Sequence, residues 1–404
     1  MTAFGPLTIL CIASYEKGHE FLREAKRQGA IVLLLTSESL MKTASWPSES
    51  IDEIFYMADV NKKWNPQHTI LAVSHLARNR KIDRIVPLDD FDLETAAALR
   101  EHMRIPGMGE TTTRYFRDKL AMRSRAKFAK LPVPDFVRLL NDGEIHEFTR
   151  GVQSPWMLKP RSQAGAIGLK KIASEHELWK SLEALGDERS FYLLERYLPG
   201  QVYHVDTIVF HEKLLFCNVS RYGAPPMDVT HQGGVFTTRT LASDDSRTKE
   251  LCELNWRVLQ AFGLVRGVSH SEFIVARDGT TYFLETAARV GGANIAELIE
   301  AATGVNLWRE WAKVELAGEE GSYAAPPTKR DAAGLLISLA KEEWPSTEEF
   351  KDPEIVWRMR KAWHVGMIVR SSHHERVEEL LRQYSDRVQE RYMAFQPPPD
   401  RPIH

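Results

Sequence analysis

Residues 269–294 read SHSEFIVARDGTTYFLETAARVGGAN, and the rest of the chain is organised around them. Asp278-Gly279 separates two runs rich in β-branched and aromatic residues, a strong short-range signal for a hairpin with a two-residue turn. With that turn Arg277 pairs with Thr280 and Ala276 with Thr281, and the sixth pair sets Glu272 opposite Glu285. Facing residues of an antiparallel pair hold their Cβ atoms roughly 4.5–5.5 Å apart. Two carboxylates about 5 Å apart repel by on the order of 3 kcal/mol at an effective dielectric of about 20. A divalent cation would compensate, and Mg²⁺ typically takes one or two carboxylates, several waters and substrate phosphates. The alternative is two solvated acids on an exposed sheet face, with a bulge that breaks the facing.

Arg289 follows four residues after Glu285, and Gly291-Gly292 lies just beyond. A planar guanidinium beside a bound phosphate suits charge developing on a transferring phosphoryl or acyl oxygen. The glycine pair lets backbone approach a ligand, or simply turns the chain into the helical stretch ANIAELIEAATG that Gly304 ends.

The 404 residues are enough for two or three domains. Hydrophobic content of 43% with 27% charged residues is that of a soluble globular protein. A net charge of −2 gives no electrostatic footprint for nucleic acid or for an anionic membrane surface. No apolar run approaches the ~18 residues of a membrane span. The run Leu7–Ala13 lacks a preceding basic region and meets Glu16, so it reads as a strand rather than a signal peptide. Cys11, Cys217 and Cys252 are odd in number and far apart, which argues for reduced thiols and a cytoplasmic setting.

Residues 1–110 alternate apolar strands (LTILCIA, IVLLLT, DRIVPL) with amphipathic helices, the pattern of a doubly wound α/β domain around a parallel sheet. Its first strand–helix loop, SYEKGH, lacks the glycine pattern that cradles a dinucleotide, so NAD and FAD are not expected. The acidic loop Leu88–Glu94 follows a strand, where ligands of open α/β sheets collect. Its carboxylates could meet a cationic substrate group, but Asp89–Asp92 fit better as helix caps and first-turn acids.

Beyond Gly109 a basic helix begins at Lys119, which could reach a phosphate or simply be solvated. In SPWMLKPRSQAGAIGLKKI, Lys159 ends a strand, a small-residue loop holding Gly165 and Gly168 follows, and a second strand returns. Such a loop suits a flap whose N–H groups cover phosphates, against the plain alternative of a hairpin with a mobile tip. Residues 190–210 run strand, Pro199-Gly200 break, strand, a place where backbone groups can meet a purine. Tyr222–Gly234 is a loop by composition, and Arg221, His231 and Arg239 around it are candidate substrate contacts. GEEGSYAAPPTKR reads as a linker, two apolar strands and a helix follow, and the Pro-rich tail QPPPDRP is a frayed end.

Taken in order, these parts resemble the ATP-grasp superfamily, and most closely its carboxylate–amine ligase branch, which includes the L-amino-acid ligases. The most specific residues are Glu272, Glu285 and Arg289, standing as E…E-T-A-A-R. The resemblance implies an α/β doubly wound preliminary domain (1–112), a two-lobed α+β ATP-grasp domain (113–318, lobes 113–193 and 194–318) and a small α+β C-terminal domain (319–404). It implies ATP and Mg²⁺ as cofactors, with Mn²⁺ able to substitute. Glu272 and Glu285 would hold the metal, and Lys119 and Lys159 the phosphates. Gly165–Gly168 would form the flap, and Glu195 to Leu198, with Tyr197, the adenine hinge. Arg289 would support the acyl-phosphate, with Gly291 and Gly292 near the substrates. Two positions depart from the pattern. Ala287 stands where many members place an asparagine metal ligand, and Val202 where many place a ribose-binding glutamate. Tyr203, His204 or Asp206 would then serve the ribose, or the ribose is held differently.

The expected activity is ligation of a carboxylate to an amine through an acyl-phosphate, releasing ADP and phosphate, with small-molecule substrates. A bicarbonate-using carboxylase and a nucleotide sensor without catalysis are the two alternatives; a homodimer is left open.

Overall fold

The computed structural model describes residues 6–163, 165, 167–319 and 321–396. Ala164 and Ala166 of the expected flap, and the Pro-rich tail from residue 397, lie outside the described residues.

The first sheet is parallel, with Thr8–Ala13 at its centre, Ile31–Ser37 and then Glu53–Met57 on one side, and Arg84–Pro87 on the other. Its central strands are buried on both faces, which is why they read as continuous apolar runs. One face packs on helix His19–Arg27 and on Leu307–Ala317, a helix from much later in the chain. The other packs on helices Pro66–Leu76 and Leu93–Met103. Helices on both faces make the domain doubly wound, as the alternation of strands and helices predicts.

A second, antiparallel sheet orders its strands as Phe136–Arg138, Tyr192–Arg196, Trp156–Pro160 and Lys170–Ile172. Alternation along its middle strands sends Trp156, Leu158, Tyr192 and Leu194 into a core under two helices. Met157, Lys159 and Glu195 fall on the opposite face.

The third sheet has eight strands. Thr281–Ala287, Gly267–Ala276, Gly200–Phe210, Lys213–Tyr222 and Phe236–Thr240 run on without a break into Ala332–Leu339, His364–Ser371 and Ile355–Arg358. The stretch 319–404 therefore contributes strands to the same sheet as the stretch before it. Helix Ser246–Phe262 and helix Lys119–Phe128 pack on one face through Phe262, Phe273 and Phe283. Helix His374–Arg391 covers the C-terminal strands. No helix among the described residues is long and apolar enough to cross a membrane.

The expectation of reduced thiols needs correction. Cys217 and Cys252 form a disulfide, and only Cys11 is a free, buried thiol. The packing of helix Ser246–Phe262 on strand Lys213–Tyr222 brings together two cysteines 35 residues apart, and spacing alone could not reveal this.

Candidate active site

The reversal at Asp278-Gly279 is not the two-residue turn expected from the sequence. Ala276 N–H donates to Thr280 O (2.9 Å), and Gly279 N–H donates back to Ala276 O (2.9 Å). The loop is Arg277-Asp278-Gly279, with Gly279 at φ 84° and Asp278 Oδ1 accepting from Thr280 N–H. This is a three-residue hairpin loop with glycine in the left-handed position. Near the turn, pairing is thus displaced by one, with Val275 opposite Thr281 and Phe273 opposite Phe283. A bulge between the Phe273 and Glu272 pairs then absorbs the displacement, and Glu272 stands opposite Glu285 after all.

The bulge does more than restore the pair. Phe273 and Phe283 both point into the core under helix Ser246–Phe262. Strict alternation from Phe283 would return Glu285 to that core face. The extra residue instead puts Leu284 and Glu285 both on the opposite face, beside Glu272.

That face borders a cavity of about 370 Å³ between the second and third sheets. Its volume falls within the roughly 300–1,000 Å³ of small-molecule sites. Glu272 and Glu285 stand on one wall, and Lys159 and Glu195 on the other. Lys119, at the start of its helix, completes the charged end, and its Nζ lies 2.8 Å from Glu285 Oε2. It also donates to the carbonyl of Gln163 at the root of the small-residue loop (2.7 Å). The helix start is fixed by Asp118, whose carboxylate accepts from Leu120 N–H and Ala121 N–H.

Lys159 pairs with Glu195, which is 1% exposed and also holds Arg123 at 2.9 Å. Burial pushes the Glu195 carboxyl up, but Arg123 and Lys159 together hold it below its usual range. Burial likewise raises Glu285, and Lys119 overrides it, keeping that carboxyl ionised. Glu272 accepts from the buried Tyr222 hydroxyl (2.8 Å), and His270 Nε2 lies 3.8 Å away. Asp206 lies behind it, between His270 and His204 at 2.8 and 2.6 Å. Burial would lower His270, but Asp206 lifts it to about 9.

The oxygen-only donor set of Glu272 and Glu285, open to a cavity that also holds two lysines, fits a hard divalent cation next to phosphates. Tyr197, Leu198, Gly165 and the main chain through Pro199-Gly200 line the cavity as well. Gly168 takes φ 71° in the same loop but is not part of the cavity wall. Val202 is on the wall, whereas the ribose candidates are not. His204 is fully buried, its ring nitrogens occupied by Asp206 and by Thr238 Oγ1 (2.8 Å). Asp206 is equally enclosed, and Tyr203 turns to the core face.

Other candidates are not brought to the cavity. Arg221 and Arg239 oppose each other across two strands, on the sheet face away from Tyr222 and Thr238, and Arg239 pairs with Glu378 (2.5 Å). His231 lies in the last turn of the short helix Pro226–Gln232, whose first residues do reach the cavity; composition alone gave this segment as a loop. Gly291 packs so closely on His270 and Asp206 that a Cβ there would lie 2.9 Å from His270 Nδ1, while Gly292 has open space around it. Arg289 is outside the cavity wall and reaches Asp90 instead (3.6 Å), at the C-terminal end of the first sheet. The acidic loop there is structural: Asp89 caps Phe91 N–H and pairs with Lys17, Asp90 holds Arg117 (2.8 Å), and Asp92 accepts from Ser14 N–H (3.0 Å).

Sequence reasoning missed Arg123 and Tyr222. Arg123 sits within a basic helix and Tyr222 begins a loop-like segment; nothing local marks either as buried beside a carboxylate.

Comparison with known proteins gives consistent results. Residues 152–297 match the model of the ATP-grasp domain family. An L-arginine-specific L-amino acid ligase of Bacillus subtilis is 29% identical over 233 residues, 56% of this chain and 56% of that protein. A D-alanine–D-alanine ligase of Delftia acidovorans is 24% identical over 221 residues, 52% of this chain and 68% of that protein. The chain therefore spans little more than half the length of the first of these relatives. Among solved structures, an L-amino acid ligase from Bacillus licheniformis superposes with a TM-score of 0.75 at 18% identity, covering 98% of this chain and 100% of that one. An N5-carboxyaminoimidazole synthetase from Staphylococcus aureus complexed with ADP superposes with a TM-score of 0.72 at 16% identity, covering 95% and 98%.

Proposed function

We propose that this chain, which carries an ATP-grasp domain over residues 152–297, is an ATP-dependent ligase that joins a small carboxylate to an amine. The observation that carries the reading is the bulge-set pair Glu272–Glu285, facing Lys119 and Lys159 within one cavity. Two acids, two lysines and a small-residue loop suit phosphoryl transfer, where positioning and charge neutralisation dominate.

In this reading Glu272 and Glu285 would hold Mg²⁺, for which Mn²⁺ could stand in, and the ion would supply charge neutralisation for the nucleotide phosphates. Lys119 and Lys159, each held by a carboxylate, offer their remaining N–H donors to phosphate oxygens when nucleotide enters. The segment Glu195–Leu198, with Tyr197, presents backbone to adenine. A carboxylate attacks the γ-phosphate to give an acyl-phosphate and ADP, and an amine then displaces phosphate to form an amide. The loop around Gly165 and Gly168 excludes water that would hydrolyse the activated acid. Arg289, anchored at Asp90, brings its guanidinium to the junction with the first sheet, where the acid and amine would meet. The ligase relatives favour an amino acid as one substrate. The cytoplasm, as the compartment supplied with ATP, suits this chemistry even though the thiol argument for it has failed.

The test is a pairwise panel of amino acids and small acids, followed by ADP release and mass detection of the product. Glu285→Gln should abolish ADP formation while the protein remains folded; undiminished turnover would remove the metal assignment. ADP release driven by bicarbonate alone would favour a carboxylase, and no carboxylate-dependent turnover would favour a sensor.

A further inference from the structure

Arg123 is not part of the cavity wall, yet both charged walls rest on it. It is 0% exposed, the largest fully buried side chain among the described residues. Its Nε donates to one oxygen of Glu195 at 3.0 Å, its Nη2 lies 2.9 Å from that same oxygen as an ion pair, and the other oxygen of Glu195 holds Lys159. Its Nη1 donates to the carbonyl oxygen of Leu284.

Leu284 is the extra residue of the hairpin bulge, and an extra residue has no place in the ladder. A carbonyl partly screened from water and left without a donor is costly, so a bulge in this half-buried position gains from a donor elsewhere in the chain. Arg123 supplies it. Without that donor, the balance shifts toward a regular register, which turns Glu285 to the Phe283 face and away from Glu272.

We propose that Arg123 is a positioning residue for metal and phosphate together: it pins the bulge that aims Glu285 into the cavity and, through Glu195, holds the Lys159 ammonium at the facing wall. The proposal rests on reading Glu272–Glu285 as the metal pair. It also requires an arginine, because the two duties lie in different directions. A planar guanidinium presents fixed donors to both, whereas an ammonium is a single point charge.

The test uses the full chain carrying Arg123→Lys or Arg123→Gln, with ATP binding followed by calorimetry over a range of free Mg²⁺ and thermal melting alongside. Both variants are expected to raise the Mg²⁺ concentration needed for half-maximal binding by about 10–100-fold, the range for groups that orient metal ligands. Glu195→Gln, which leaves the Leu284 carbonyl with its donor, should weaken ATP binding with the Mg²⁺ requirement near that of the wild type. A lower melting temperature with an unmoved Mg²⁺ requirement in the Arg123 variants would reduce Arg123 to a structural ion pair and overturn the proposal. An equal rise in Glu195→Gln would assign the effect to that arm and overturn the role of the bulge. If the wild type itself binds ATP without regard to Mg²⁺, the metal pair falls, and with it the reading on which this inference rests.

Discussion

Glu195 is a buried carboxylate with a cation on each side, Arg123 and Lys159. Removing one member of such a buried group leaves uncompensated charge. Glu195→Gln should therefore cost roughly 3–5 kcal/mol in a denaturant titration; a change below about 1 kcal/mol would mean the cations are hydrated. Asp92 makes the opposite case. It is buried with no ion pair among the described residues; burial, then the neighbouring Asp89, raise its carboxyl to about 7 against the opposing pull of Ser14 and the more distant Lys17. A raised acid binds more protons folded than unfolded, so its contribution to stability falls as pH rises from its ordinary value of 3.8 through about 7. Asp92→Asn keeps an acceptor for Ser14 N–H and should flatten that fall in melting temperature between these limits. An unchanged pH profile would count against the buried position. Neither residue could be assigned its environment from sequence. Glu195 was singled out only through the resemblance, and Arg123 lies 72 residues from it and 161 from Leu284, beyond any local pattern.

The hairpin was legible as a hairpin, because Asp-Gly between β-rich runs has few other outcomes. Its register was not. The loop is one residue longer than expected and the bulge adds one on the opposite strand, so the two departures cancel at Glu272–Glu285. The alternative in which a bulge breaks the facing has the right device and the wrong consequence. Gly279 carries the turn at φ 84°, and a Cβ added there would meet no atom within 4 Å, so a substitution strains the backbone alone. Gly279→Ala should lose about 1–2 kcal/mol, and Gly279→Asn less, since asparagine tolerates the left-handed region. Equal stability of the alanine variant in chemical denaturation would contradict the loop assignment. His204 shows how far alternation reads and where it stops. It is on the cavity face of its strand, as its spacing from Val202 requires, but Tyr222 and the Gly291 segment pack over that end of the face.

At the scale of the molecule, the cavity is shared by two sheets, so a nucleotide there ties two lobes together. A ligand bound only by the folded state stabilises by about 2.7 kcal/mol at about 100 times its dissociation constant. ATP with Mg²⁺ should raise the melting temperature, and chelation of Mg²⁺ should remove most of the rise; no response to either would leave the cavity without its proposed occupant. The parallel first sheet was available from periodicity, and the likeness to ATP-grasp proteins from the resemblance carried by Glu272, Glu285 and Arg289. The joining of 332–371 to the third sheet and the Cys217–Cys252 link were not, because edge pairing and a helix seated on a strand leave no mark in spacing.

The sequence by itself determined which residue types could grip a metal and phosphates, and on which kinds of element they stand, because periodicity and turn chemistry act over a few residues. Only the tertiary structure decided that Glu285 faces the cavity, that Arg123 reaches the carbonyl beside it, and that Arg221 and Arg239 stand away from the cavity wall. Those outcomes depend on a bulge, a buried fork of donors and the choice of sheet face, each settled by partners far away along the chain.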